Sequence, residues 1–475
     1  MSGVERTVTW RELLAETTQF LGDPMHARWI CETATSTSPT EFRDILDDDA
    51  TKRAVGHLDA MVARARTGEP IQYVLGSWSF RHLDLAVDSR VLIPRPETED
   101  VAAVAIELAT AAGPVRTVAD LGTGSGAIGL SLAGELPPDG TTVWITDTSP
   151  DALDVARANI AGIGRLGANV RVAEGSWCDP LPTIPAFDVI VTNPPYVAEE
   201  SAEIEPIVSQ WEPGAALFAG RDGLDDIRTI VPSAVTCLRP GGWLVIEHGH
   251  DQGEAVCDLF GDHGLVDVET RRDLAGLDRM TLGRRSLELF DVAYPDGALR
   301  VRHLANTPSD MAHLGQWLSD PVVLEWYEGR EQADDLAGVL AVFGPGGEAE
   351  RDELTPAIIE LDGAPIGYVQ LHDLDDREDA AGFDFEDGTG IWSLDLLVGA
   401  PALFGRGIDR AVSRAAAEFL LDEWEAREVV ILPSTENARA IAAYRAAGFA
   451  GDHVVHEHEV REGVTRDGLR LHFRR

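Results

Sequence analysis

The chain has 475 residues, enough for about three domains on the usual size range, and 44% of them are hydrophobic, so buried cores are available and disorder is excluded. Acidic residues outnumber basic ones 81 to 39, for a formal charge of −42 with Lys52 the single lysine; such a surface repels phosphate backbones, and no Lys/Arg run overrides it, so direct nucleic-acid binding is not expected. No apolar run reaches the roughly 18 residues of a membrane span, the N-terminus is too charged for a signal peptide, and Cys31, Cys178, Cys237 and Cys257 form no C-x-x-C pair, so a cytoplasmic protein without a disulfide framework, zinc site or membrane partner is expected.

From Thr9 to Thr67, helical periodicity with polar caps, as in TWRELLAETTQFLG and DATKRAVGHLDAMVARARTG, predicts a helical domain over residues 1–70, with Gly68 as a C-cap. Residues 71–92 alternate like short strands and read as a hairpin linker. The stretch Ile93-Pro94-Arg95-Pro96-Glu97-Thr98-Glu99 is a stiff polar loop in which Thr98 is placed to cap the next helix, and Arg95 and Glu97 either touch substrate or brace the loop.

Over residues 93–284, strand-like runs (RTVADLG, TTVWITD, FDVIVTN, GGWLVIEHG) alternate with helical ones, which predicts a doubly wound, Rossmann-like α/β sheet. In DLGTGSGAIGL, Gly122, Gly124 and Gly126 allow a tight turn and close approach of a ligand to bare backbone at a helix N-terminus. Asp147 closes the following strand, where a carboxylate can accept both hydroxyls of a ribose; NAD and S-adenosylmethionine fit equally well. The run from Phe187 to Val191 decides between them, because it halts at Asn193-Pro194-Pro195-Tyr196, a rigid segment without backbone donors at the prolines. Hydride transfer has no use for such a loop. Methyl transfer to an sp² amino nitrogen does: its lone pair is delocalised, so the enzyme must hold both N–H bonds, one on the Asn193 side-chain oxygen and one on the Pro194 carbonyl, while Tyr196 packs on the flat group. His248 and His250 read as a strand-end pair, and His453, His456 and His458 as surface residues.

The pattern breaks near RRSLELFDVAYPDGALR, read as a linker over residues 285–297, and a fresh α+β pattern occupies 298–475. Its strands are ALRVRHLA, TPAIIELDG, APIGYVQLHDL, GIWSLDLLVG and AREVVILP, and its helices include GIDRAVSRAAAEFLLDEW and ENARAIAAYRAAGF.

Residues from about 9 to 285 resemble the HemK/PrmC family, which methylates the side-chain amide, N(5), of the glutamine in the Gly-Gly-Gln loop of peptide chain release factors. The match is carried by GEPIQYVLGSWSF, VLIPRPETE, DLGTGSGAIGLSLA, DTSPDALDVARAN, NPPYV, EPGAALFAGRDGLDDIRTI and PGGWLVIEHGHDQGEAV. The resemblance implies a class I methyltransferase domain with S-adenosylmethionine as cofactor. In that family the loop corresponding to Gly122, Thr123, Gly124, Ser125 and Gly126, with Asp147 and Asn193, lines the cofactor site. It further implies that Trp177 flanks the adenine and that Asn193, Pro194, Pro195 and Tyr196 hold the glutamine of a release factor. Adenine and guanine amino groups also suit an NPPY loop, but the net charge and the helical domain stand against a nucleobase substrate.

Residues 298–475 resemble the GNAT acyltransferases, in particular their aminoglycoside N-acetyltransferase-like branch, through SLDLLVG, LFGRGIDRAV and STENARAIAAYRAAGF. The turn Gly405-Arg406-Gly407 before a helix offers backbone N–H groups to the pyrophosphate of acetyl-CoA. Asn437 and Tyr444 match family positions near the thiol end of the cofactor, and Asp395 is the candidate general base for an amine nucleophile. Asp409 departs from the family, which has Gly or Ala there, and sets a carboxylate against the pyrophosphate; a non-catalytic interaction module is the alternative. The acceptor is not legible, and the acidic loop 373–387 reads as a solvated segment or a lure for a polyamine-like substrate.

Overall fold

The computed structural model describes residues 8–182, 186–199, 206–305, 307–325, 336–343, 354–375, 377–461 and 464–475, in two units, Met1–Arg285 and Ser286–Arg475. In the first unit, helices α1 (Trp10–Leu21), α2 (Pro24–Thr35), α3 (Pro39–Asp44) and α4 (Lys52–Ala65) start where side chains satisfy their free backbone donors. Thr9 with Glu12 and Ser38 with Glu41 form capping boxes, and Asp23 and Thr51 cap α2 and α4. Trp10, Ile30, Phe42, Leu58 and Met61 make their shared core. The expected cap at Gly68 is corrected: α4 closes at Arg66, and Gly68, at φ 85, forms the turn beyond it. A short helix α5 (Ile71–Leu75) then leads into the hairpin β1 (Ser77–Phe80) and β2 (Leu83–Ala86).

The rest of the unit is a seven-stranded sheet in the order β5-β4-β3-β6-β7-β9-β8. Its strands are β3 (Arg116–Leu121), β4 (Thr141–Asp147), β5 (Val170–Glu174), β6 (Phe187–Thr192), β7 (Leu238–Glu247), β8 (Leu265–Arg272) and β9 (Asp278–Arg285). Strands β3 to β7 are parallel, and β9 runs antiparallel to β7 and β8. Every residue of β6 is buried, which is why FDVIVT reads as an unbroken run rather than an alternation. Helices α6 (Pro96–Ala111), α7 (Ala127–Glu135), α8 (Pro150–Gly162), α9 (Pro206–Trp211), α10 (Asp225–Cys237) and α11 (Gly253–Asp262) complete the unit. Strand order reverses between β3 and β6, so the crevice beyond their C-terminal ends is where an open α/β sheet binds ligands.

In the second unit an eight-stranded sheet has the order β10-β11-β12-β13-β14-β15-β17-β16. Its strands are β10 (Glu288–Val292), β11 (Leu299–His303), β12 (Thr355–Leu361), β13 (Ala364–Asp373), β14 (Ile391–Val398), β15 (Glu428–Ile431), β16 (Ala450–Arg461) and β17 (Val464–Phe473). The stretch read as a linker therefore carries β10, whose Leu289, Phe290 and Val292 pack against the second core between the charged Glu288 and Asp291. Helix Ile408–Asp422 packs Val412, Ala416 and Leu420 into that core, and helix Ala438–Ala447 follows β15.

Candidate active site

The C-terminal ends of β3, β4 and β6 converge on a cavity of about 320 Å³ lined by Gly122, Gly124, Asp147, Trp177, Asn193 and Pro195, among others. Gly122 stands at φ 65, and a Cβ there would lie 3.0 Å from Cζ3 of the Trp177 ring, so this glycine lets the indole close over the turn. Trp177 itself holds a left-handed backbone at φ 45, and Thr146 Oγ1 donates to its carbonyl at 3.0 Å. The Asp147 carboxylate accepts the backbone N–H groups of Gly124 and Ser149, each at 2.9 Å, and keeps lone pairs for a diol. Turn, carboxylate and indole together fit a nucleoside such as that of S-adenosylmethionine.

Thr123, Ser125 and Gly126 do not line the cavity. Thr123 donates its hydroxyl inward to Asp120 at 2.6 Å, and Ser125 is buried, its carbonyl accepting from Asn159 at 2.8 Å. Asp120 also accepts the Gly129 N–H at 2.8 Å, and burial pushes its carboxyl up to about 7. The native protein thus retains a proton at Asp120 over a range where the unfolded chain has released it. That contribution is complete below the ordinary value of 3.8 and is lost as pH rises through about 7. Asp120→Asn is expected to remove this slope. Its melting temperature relative to the parent should rise between pH 5 and pH 8, by the equivalent of roughly 2 kcal/mol; parallel curves for the two proteins would refute the assignment.

Beyond β6, Asn193 Nδ2 donates to Thr98 Oγ1 at 3.2 Å, and among the described residues the Pro194 carbonyl accepts no hydrogen bond. The loop is held by its neighbours. Val197 N–H donates to Leu217 O at 3.0 Å, and Gln252 Nε2 donates to Tyr196 O at 2.9 Å. Gly223, at φ 75, lies so close that a Cβ would come within 2.2 Å of that same carbonyl, which accounts for the glycine in GRDGLDD. Tyr196 points its hydroxyl away from the cavity, to Glu247 Oε1 at 3.2 Å at the end of β7. Glu247 is fully buried, and desolvation pushes its carboxyl up to about 7 against the pull of Thr98 and Arg279.

Thr98 does not cap α6. That helix begins at Pro96 with Arg95 as its N-cap and no side-chain cap bond, while Thr98 is buried in the first turn facing Asn193. Arg95 is a brace: it donates to Glu212 Oε1 at 2.6 Å, and Ile93 N–H reaches the other oxygen at 3.1 Å. His248 is buried between Gly249 O and Thr281 Oγ1. The structure adds Asp226 to the cavity lining; burial raises its carboxyl, with Asp225 adding to the effect. In the sequence, Asp225-Asp226 is indistinguishable from ordinary acidic residues in a helix's first turn.

In the second unit, a cavity of about 100 Å³ is lined by Leu396, Gly405, Asp409, Asn437 and Tyr444, among others. Gly405 and Gly407 are left-handed at φ 75 and 76, and Gly407 caps helix Ile408–Asp422. Asn437 caps the next helix by accepting from Ala440 N–H at 3.0 Å. Tyr444 is held protonated by burial and by the charges of Asp395 and Asp409. Asp395 is exposed on β14, paired in register with Gln370, and Arg406 turns its guanidinium to Asp296 at 3.5 Å. Asp409 sits in the first turn of the helix and lines the cavity beside Gly405. The glycine turn fits acetyl-CoA and this carboxylate opposes it.

Among family models, residues 12–76 match the PrmC N-terminal domain, 101–210 the methyltransferase small domain, and 306–456 an acetyltransferase (GNAT) domain. The release factor glutamine methyltransferase of Xylella fastidiosa (strain Temecula1) is 44% identical over 231 residues, 49% of this chain and 82% of that protein. The release factor glutamine methyltransferase of Burkholderia pseudomallei is 39% identical over 266 residues, 55% of this chain and 92% of its own. A solved structure of the aminoglycoside acetyltransferase AAC(6')-Ib with coenzyme A aligns at 25% identity and a TM-score of 0.31, covering 37% of this chain and 95% of that one.

Proposed function

The chain belongs to the release factor glutamine methyltransferase family, and from that premise we propose that its first unit methylates the side-chain amide nitrogen of the glutamine in the Gly-Gly-Gln loop of peptide chain release factors. The observation that carries the reading is Asn193 lining the same cavity as Gly122, Asp147 and Trp177, with the neighbouring Pro194 carbonyl accepting no hydrogen bond among the described residues. S-adenosylmethionine, when bound there, supplies an electrophilic methyl group on a sulfonium.

A glutamine amide nitrogen shares its lone pair with its own carbonyl and is a poor nucleophile. Two acceptors fixed in the protein, Asn193 Oδ1 and Pro194 O, hold the two N–H bonds, turn the nitrogen lone pair toward the cavity and stabilise the positive charge that grows on nitrogen. No base is needed before attack, because the proton is lost only after the nitrogen has become acidic. Residues 8–65 supply a helical surface apart from this chemistry, suited to a folded protein partner, and no helix among the described residues is long and apolar enough to cross a membrane. A charge of −42 disfavours DNA or RNA at the same loop. Mass spectrometry of a release factor incubated with the protein and S-adenosylmethionine tests the reading. One added methyl on the Gly-Gly-Gln glutamine is expected; an unmodified glutamine with the cofactor demonstrably bound, or methyl groups on a nucleic acid, would overturn it.

The second unit contains an acetyltransferase (GNAT) domain, and its cavity is weakened for acyl-CoA by Asp409. Asp409→Gly is expected to tighten acetyl-CoA binding by about tenfold, since it removes a carboxylate from a helix N-terminus that favours anions. Calorimetric titration of the full chain measures it, and an unchanged affinity would put the pyrophosphate elsewhere.

A further inference from the structure

We propose that Asp226 is a specificity-determining residue that makes the cavity select the sulfonium of S-adenosylmethionine over the uncharged sulfur of the product, S-adenosylhomocysteine. The proposal rests on the assignment of that cavity to S-adenosylmethionine and adds to it a means of letting the product go. Cofactor and product differ by one methyl group and one charge, so contacts to base, ribose and amino acid hold both alike. Only a group that responds to charge tells them apart.

Of the residues that line the cavity, Arg90, Asp147 and Asp226 carry charge. Arg90 is offset by its own neighbour, because it donates Nε to Asp88 at 2.8 Å and Nη2 to the same carboxylate at 2.7 Å. Asp147 already accepts the N–H groups of Gly124 and Ser149. Asp226 is different. It stands in the first turn of α10, half-buried, and among the described residues its carboxylate accepts no hydrogen bond and forms no ion pair. The acidic residues beside it are both engaged by Arg228, Asp222 at 2.6 Å and Asp225 at 3.0 Å, so the one acid of this segment that lines the cavity is also the one left unpaired. A carboxylate in a first turn gains from the helix N-terminus. That gain does not explain why it is half-buried against a cavity wall, where desolvation opposes its charge and a cation in the cavity offsets the opposition. A full positive charge in the same cavity is attracted to Asp226 even after screening, and loss of the methyl group removes both the charge and the attraction.

The test is calorimetric titration of the full chain with S-adenosylmethionine, S-adenosylhomocysteine and sinefungin, which carries an ammonium where the sulfonium stands. Asp226→Asn keeps the shape and removes the charge; it should weaken S-adenosylmethionine and sinefungin by about fivefold and leave S-adenosylhomocysteine unchanged. Asp225→Asn removes an equal charge from a residue that is paired with Arg228 and does not line the cavity, and it should leave all three affinities as in the parent. Asp226→Ser, a small polar residue suited to a helix start, repeats the measurement if the asparagine variant does not fold. Equal weakening of all three ligands in the Asp226 variant makes the residue a packing element and overturns the proposal. An equal shift in Asp225→Asn overturns it as well, since net charge alone would then account for the selectivity. A parent that binds none of the three sinks the cofactor assignment and the proposal with it. Charge selectivity that Asp226→Asn abolishes, in a protein that leaves a release factor unmethylated, upholds the proposal and sinks the substrate assignment instead.

Discussion

Asn193→Ala is expected to reduce methyl transfer by at least about a hundredfold while S-adenosylmethionine still binds within a few-fold of its original affinity. The magnitude follows from what is removed. Preorganised groups aimed at developing charge contribute on the order of a hundred- to a thousandfold each when deleted singly. In the proposed grip Asn193 supplies one of the two acceptors for the glutamine N–H bonds, and a water in its place would have to be ordered at the moment of reaction. The cofactor side of the cavity, by contrast, is built from Gly122, Gly124, Asp147 and Trp177, none of which depends on Asn193 for a hydrogen bond. Deletion also strips Thr98 of its donor, a loss that should appear as a modest fall in melting temperature. Single-turnover transfer to a release factor, with calorimetry of cofactor binding on the same preparation, separates the two effects. Unchanged turnover would mean that the amide grip is not the catalytic device.

What the sequence made legible was local in the chain. The glycine turn, the acidic residue at the end of β4 and the NPPY segment are each read within a few residues, because each is a backbone constraint written in Gly, Pro or Asp. The partners that make the loop rigid were not legible. Glu212 lies 117 residues from Arg95, and Thr98 lies 95 residues from Asn193, so nothing in the order of residues pairs them. A threonine after Arg-Pro-Glu looks like a cap, and only the fold turns it inward. Strand prediction failed in a similar way. Strands β5, β8 and β9 carry charged residues at alternate or outer positions, as VRVAE and LVDVETRR show, so they lack the apolar run that marks β6. In the second unit, β10 and the pair β16 and β17 are held by antiparallel neighbours and by a few apolar positions such as Leu469 and Leu471.

The second large effect falls on binding rather than chemistry. Asp147→Ala is expected to weaken S-adenosylmethionine by about a hundredfold, with kcat at saturating cofactor changed far less. The carboxylate has two tasks that alanine cannot share. Its oxygens accept Gly124 N–H and Ser149 N–H, each at 2.9 Å, which ties the glycine turn to the start of α8 and holds the cradle in shape before any ligand arrives. In the proposed site its remaining lone pairs accept the ribose hydroxyls, and hydrogen bonds to a charged acceptor are each worth roughly 1.5–3 kcal/mol. Losing one such bond and loosening the turn accounts for a factor of about a hundred. Asp147→Asn would fare little better, because its NH₂ would face the backbone N–H of either Gly124 or Ser149. Calorimetric titration with S-adenosylmethionine measures the loss, and transfer at saturating cofactor measures what remains. A variant with unaltered affinity would show that the ribose lies elsewhere, and one that binds normally but cannot transfer would move Asp147 from holding the cofactor to the chemistry at Asn193.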